Sequence, residues 1–323
     1  MSIKTSAPSR LSPLFRKMVG RALGAETLLD RNKRLCEMEH LDPVEDCVEI
    51  YRLFRADFQA ASSFAIAGGL FVTYAVPRMS RILTQSRQFE EKMLKRLVDT
   101  TLLDKTYHDV GFAPGPGRDA MRRINEMHRH YDIHPEDYVF IGCYEIITFV
   151  WFANRYGWRK VTEKEKEAAV EFAKHRAQYM YAGSQKMPYP KTLEEMQAFC
   201  DDYLDRQIAY EPQNKRLADR LVDFILGNYP EVVRRPLQAF FLSIGMDERL
   251  VTNCGYKMPS PRAQKLSCRL MGYYGKLDPL VYGLSPFAQK LVDELYPEGY
   301  DVKTLGTHVD AQKVGIDLAD QGI

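Results

Sequence analysis

Seven histidines occur in the chain, and one of them stands where a ligand would stand. His128 closes the polar helical stretch RRINEMH and precedes a run, Tyr138 to Phe152, that is apolar on nearly every face. Such a run belongs at the centre of a helical domain, and a pocket beside it is dry. A neutral imidazole facing a dry pocket is a natural ligand for a cofactor metal. His130 falls about 200° around the same helix and addresses another side. His134 precedes Pro135, which disfavours helical backbone and puts it at the start of the next helix. The two therefore do not form a metal pair, and no HExxH arrangement of a zinc hydrolase is present. His40, His108, His175 and His308 lie in charged surroundings without ligand-like spacing.

Three other groups have types and spacings that bear on chemistry. Arg96 and Thr100, four apart, share a helix face and present a guanidinium and a hydroxyl to one volume. Glu145 and Thr148 interrupt the apolar helix on one side. A bare buried carboxylate is costly, so Glu145 must be paired, protonated or turned to a wet pocket, with Arg159 or Arg176 as the candidate partners. Trp158 and Arg159 in the YGWR turn read as a clamp on a helix junction.

The string Arg123-x-Asn125-x-x-His128-x-x-Tyr131-x-Ile133, followed by Tyr156-x-Trp158-Arg159-x-x-Thr162-x-x-Glu165-x-x-Ala168 and preceded by Arg96-x-x-x-Thr100, resembles the helical oxygenase family. That family includes the latex-clearing rubber oxygenases and the mycophenolic-acid pathway oxygenases of fungi. The resemblance covers about Phe64 to Tyr274 and is closer to the mycophenolic-acid type. It implies an all-α, partly globin-like fold that binds haem b, with His128 as axial ligand of the iron and Asn125 and Arg123 beside the cofactor. It also implies that Arg96 and Thr100 handle dioxygen or a haem propionate. The implied reaction adds dioxygen across or beside an unsaturated bond of an apolar, isoprenoid-like small molecule. One departure stands out: latex-clearing members carry a lysine between that arginine and threonine, where this chain has Asp99, which speaks against polyisoprene. The alternative is a non-catalytic helical protein that binds haem or lipid.

The elements that must position these residues are helices throughout. With 323 residues, 45% hydrophobic and 27% charged, the chain suits one large domain. Helical periodicity predicts helices at Val44–Ala60, Ser62–Val76, Pro77–Thr100, Arg118–Tyr131, Pro135–Tyr156, Thr162–Tyr181, Thr192–Tyr210, Asn214–Gly227, Glu231–Ile244, Ser260–Tyr274 and Ser285–Leu295. Thr162 with Glu165 reads as a capping box. The GFAPGPG stretch lacks a phosphate-binding spacing and delivers the chain into the His128 helix. No alternating strand is evident. Tyr273, Tyr274 and Tyr282 take core positions by helical spacing and receive no role. The chain thus divides into a basic N-terminal extension, 1–40, a helical oxygenase-like haem-binding domain, 41–298, and a C-terminal tail, 299–323, loosely packed after Tyr300.

A net charge of +2, with both signs alternating along helix faces, excludes a nucleic-acid footprint. Six cysteines without close spacing read as reduced thiols. The N-terminus lacks the apolar core of a secretory signal. Phe64–Val76 is 13 residues long, where a membrane span needs roughly 20. The expected setting is cytoplasmic, with peripheral membrane contact through the basic amphipathic segment Ser9–Leu23.

Overall fold

The computed structural model describes residues 32–180, 187–227, 229–245, 247–276 and 286–306. Its helices are α1 Lys33–Met38, α2 Cys47–Asp57, α3 Gln59–Ala75, α4 Pro77–Ser86, α5 Gln88–Glu91, α6 Met93–Val110, α7 Pro116–His128, α8 Pro135–Tyr156, α9 Glu163–Tyr179, α10 Leu193–Gln207, α11 Pro212–Leu226, α12 Glu231–Ser243, α13 Glu248–Asn253, α14 Pro261–Gly275 and α15 Pro286–Leu295, followed by a 3₁₀ turn at Val302–Thr304. No strand occurs among the described residues. The all-α expectation is met in a single helical domain. The Ser9–Leu23 segment, Tyr282 and His308 lie outside the described residues.

Helix α8 is the axis of the molecule, packed by α3, α9, α10 and α14. Val139, Phe140, Cys143, Ile146, Phe149, Val150 and Ala153 are buried around its circumference. That burial is what a helix apolar on every face requires. Its start is fixed by Pro135 at the first turn and by His134, whose Nδ1 accepts the amide of Glu136 at 3.2 Å. The next helix, α9, begins with the anticipated capping box, Thr162 and Glu165 exchanging backbone bonds.

Between α2 and α3 the chain bends by 99° at Phe58, whose ring is fully buried. Gly157 is obligatory beneath it, because a Cβ there would meet the Phe58 ring at 2.4 Å. The same junction carries the YGWR clamp. Trp158 Nε1 donates to the Asp57 carbonyl at 3.1 Å, and Arg159 bridges Asp57 and Glu165. With Asp57 also held by Arg34 at 3.0 Å, these charges are paired in a setting where an unpaired one would cost several kcal/mol.

The predicted helix Pro77–Thr100 does not run through. Arg87 adopts a left-handed conformation at φ 53°, Lys92 leaves helical geometry, and α6 starts afresh at Met93 to continue to Val110. The two breaks turn Phe89 inward, where it is buried edge-on against Tyr74 with ring centroids 5.7 Å apart.

The stretch after Tyr300 also departs from expectation. Leu305 is buried, its carbonyl accepts Arg123 Nε at 2.6 Å, and the Gly306 amide donates to Asp99 at 2.9 Å. Residues 301–306 are thus strapped onto α6 and α7. Tyr273 and Tyr274, expected in the core, are exposed instead. The six cysteines are free thiols. No single described helix is long and apolar enough to cross a membrane.

Candidate functional site

A cavity of about 360 Å³ opens beside α8. Its apolar walls come from α3, with Ala65, Leu70 and neighbours, from Met79 and Leu83 of α4, and from Ile141 of α8. Its polar groups come from α6, the end of α7, α8 and the end of α9. Three of the residues read from the sequence, Arg96, Thr100 and His128, meet in its lining.

His128 is the last residue of α7. Its Nδ1 is sealed from solvent and has no hydrogen-bond partner. Burial, reinforced by the Arg96 guanidinium, pushes its pKa down to about 4, so the imidazole is neutral at physiological pH and keeps a lone pair for a ligand. Its ring leans on Tyr138 at 5.8 Å between centroids.

Arg96 donates to Thr100 Oγ1, and Thr100 Oγ1 donates back to the Arg96 carbonyl at 2.7 Å. No described carboxylate pairs with Arg96, whose guanidinium lies 5.7 Å over the Phe89 ring. The two acids that could have neutralised it are engaged elsewhere: Glu91 with Arg87, and Asp99 with Lys95, Tyr296 and Gly306. Burial lowers the Arg96 pKa, against the opposing pull of Tyr74 and Asp99. A half-buried cation without a described carboxylate partner, beside a ligand-sized cavity, suits an anionic group. Asp99, at the position of the latex-clearing lysine, is turned away from the cavity.

Asn125 and Arg123 stand apart from this lining. Asn125 Nδ2 donates to the Tyr179 carbonyl at 2.7 Å, which ties α7 to the end of α9, and it makes no bond to His128 Nδ1. Arg123 serves Leu305 and Glu126. Both residues position the His128 helix and do not reach the cavity.

Glu145 does reach the cavity, and its structural and pocket-lining readings are both realised. Oε2 accepts Arg176 and Oε1 accepts His108 Nε2 at 3.0 Å; Arg159 is not its partner. His108 Nδ1 donates to the Asp104 carbonyl at 2.8 Å, and Asp104 also takes the Tyr107 hydroxyl and lies 3.5 Å from Arg55. Burial alone would raise the Glu145 carboxyl, but Arg176 and His108 outweigh it and hold it well below the usual range. For His108, burial and Arg55 pull the pKa down, while Asp104 and Glu145 prevail and raise it. Asp104, His108 and Glu145 bring their ligand atoms within 4.8 Å of one another. Two guanidiniums already match the two carboxylates, so a dication there would add uncompensated charge. The cluster is a proton-holding network on the cavity wall.

Two further features were not read from the sequence. The hydroxyl of Tyr189 and Oδ2 of Asp137 are sealed from solvent without partners at the cavity wall. Gly142 faces that hydroxyl, and a Cβ there would sit 2.6 Å from it and 3.1 Å from Arg176. The one signal available for the network was the Asp104-x-x-x-His108 spacing, which puts both side chains on one helix face.

Comparison with known proteins places this cavity inside a matched region. The family model described as the catalytic domain of the ER-bound oxygenases mpaB/B′ and rubber oxygenases matches residues 54–275. The ER-bound oxygenase mpaB′ of Penicillium brevicompactum is 27% identical over 206 residues, 59% of this chain and 48% of the relative. The ER-bound oxygenase mpaB of Penicillium roqueforti is 27% identical over 207 residues, 60% of this chain and 68% of the relative. The mpaB of Penicillium brevicompactum is 25% identical over 173 residues, 49% and 44% respectively. The chain thus spans about half the length of two of these relatives.

Proposed function

The chain belongs to the catalytic-domain family of the ER-bound oxygenases mpaB/B′ and the rubber oxygenases, and from that premise we propose that it is a haem-b-dependent oxygenase. Its substrate in this reading is an apolar, unsaturated small molecule, oxidised by dioxygen. The observation that carries the proposal is His128, a neutral imidazole with an unpartnered, solvent-sealed nitrogen on the wall of an apolar cavity.

The residues present fit haem b. A neutral imidazole suits the iron, apolar walls suit the macrocycle, and an unpaired guanidinium suits a propionate carboxylate or a developing oxygen anion. When bound, the haem supplies the dioxygen and one-electron chemistry that protein side chains lack. The chain's own contribution is positional and electrostatic. His128 holds the ligand nitrogen in place at the end of α7. Arg96, locked to Thr100, offers donors fixed before any charge develops, which is where such donors contribute most. The apolar walls exclude water and select an apolar substrate. Glu145, held ionised between Arg176 and His108, links the cavity wall to His108, the group of this network that would hold or release a proton.

The test is the absorption spectrum of the purified protein before and after haem addition and dithionite, with haem content by pyridine haemochrome. His128→Ala should abolish stoichiometric haem binding and leave the far-ultraviolet helical spectrum unchanged, because the fold rests on apolar burial rather than on one ligand bond. Full occupancy with an unshifted Soret band in the variant would remove His128 from the role. Oxygen consumption across a panel of unsaturated isoprenoids then separates an oxygenase from a passive haem or lipid carrier.

A further inference from the structure

Helix α14 has an outward side that a helix in water should not have. Leu266, Leu270, Tyr273 and Tyr274 are 58%, 51%, 68% and 56% exposed. At about 100° per residue they occupy one arc of roughly 100°. Arg262, Lys265, Arg269 and Lys276 fill the adjoining arc and are all exposed. Ser267, Met271 and Gly275 form the buried seam on the remaining side. Single exposed apolar residues need no explanation, but four on one arc of one helix do.

Charge decides what this side suits. Positions 249–276 contain no Asp or Glu, and none of the four cations of the arc forms an ion pair with a described residue. The contact of Lys276 is with the Tyr273 ring, at 5.4 Å. A protein-facing patch would be depleted of lysine at its centre and met by acids. Tyrosine and leucine beside a one-sided row of Lys and Arg is instead the composition of a helix lying in a lipid interface.

We propose that α14 is a docking face for a membrane surface rich in anionic phospholipid. Leu266, Leu270 and the two tyrosines enter the headgroup layer, and Arg262, Lys265, Arg269 and Lys276 lie against the phosphates. This contact is independent of the N-terminal segment and of the cavity chemistry.

The test is co-sedimentation of the full chain with vesicles of phosphatidylcholine alone or mixed with phosphatidylserine. Binding is expected to the mixed vesicles, weakly to the neutral ones, and to fall with added salt. The double variant Lys265→Gln/Arg269→Gln should lower partitioning by about tenfold or more. The triple variant Leu266→Ser/Leu270→Ser/Tyr273→Ser should abolish it. The altered side chains are exposed, so the melting temperature and the cavity should be those of the parent. Absence of binding to anionic vesicles would overturn the proposal, as would binding that both variants retain. A dimer in solution that dissociates in the triple variant, without lipid binding by the parent, would assign the face to a second copy instead.

Discussion

Glu145 divides its two carboxylate oxygens between the imidazole of His108 and the guanidinium of Arg176, so that one side chain on the cavity wall links α6, α8 and α9. Removing the charge and removing the hydrogen-bonding capacity are therefore separable. Glu145→Gln keeps part of the bonding, whereas Glu145→Leu leaves two buried cationic partners facing an apolar group. The leucine variant should lose about 1 to 3 kcal/mol of stability by thermal or denaturant unfolding, and the glutamine variant clearly less. If both keep the parental melting temperature and lose turnover, Glu145 serves the reaction and not the fold.

The same network sets a pH dependence with a definite sign. His108 is raised above its ordinary value by Asp104 and Glu145, against burial and Arg55. Its contribution is fully present below the unfolded-state value and is lost as pH rises through the folded one. Asp104 and Glu145 are lowered, so theirs is present above the usual carboxylate range and is lost only in strong acid. The parent should lose melting temperature as pH rises above the ordinary histidine range of about 6.5, while His108→Gln should be flatter there. Equal slopes in the two proteins would mean that His108 does not hold its proton there.

Arg96 and Thr100 decide between oxygen chemistry and passive binding. Arg96→Lys replaces a fixed fork of donors by a flexible ammonium and should keep cofactor content while slowing turnover about 10²- to 10³-fold. Thr100→Val, which removes the hydroxyl that locks the guanidinium, should show a smaller loss. Parental haem content, autoxidation and turnover in both variants would show that this face does not handle oxygen.

Arg123 makes the opposite prediction. Its bonds run to Leu305 and Glu126, so Arg123→Ala should cost about 1.5 to 3 kcal/mol of stability and leave haem bound per folded molecule unchanged. Loss of haem at an unaltered melting temperature would return Arg123 to the cofactor.

What the sequence made legible follows from what is local. Helix α8 announced itself because a helix apolar on all sides has one place to go, and its first turn was marked by His134 and Pro135. His128, Arg96 and Thr100 were legible through resemblance, and their meeting at one cavity rests on packing that no single stretch encodes. Arg123 is close to His128 in the chain, yet it bonds Leu305 and Glu126. Five residues along a helix is about 140° around it, so the two side chains diverge. The network of Asp104 and His108 was hidden because the helix was expected to stop at Thr100. The breaks at Arg87 and Lys92 leave no mark in the apolar pattern, and α6, packed on several sides, has no clear amphipathic period to extend. Tyr273 and Tyr274 read as core because spacing identifies a face and not what that face meets.

The strap formed by residues 301–306 is made long after the helices it joins. It grips α6 through Asp99 and α7 through Arg123, partners 207 and 182 residues earlier in the chain. At ordinary elongation rates the strap emerges roughly ten to forty seconds after the helices it joins. Until then the helix that carries Arg96 and Thr100 and the helix that carries His128 are held by their own direct packing, Val98, Leu102 and Leu103 against Ala120. The strap therefore clamps a helix pair that its own packing already holds, and a ligand that needs both helices meets the clamped form only once residue 306 has emerged.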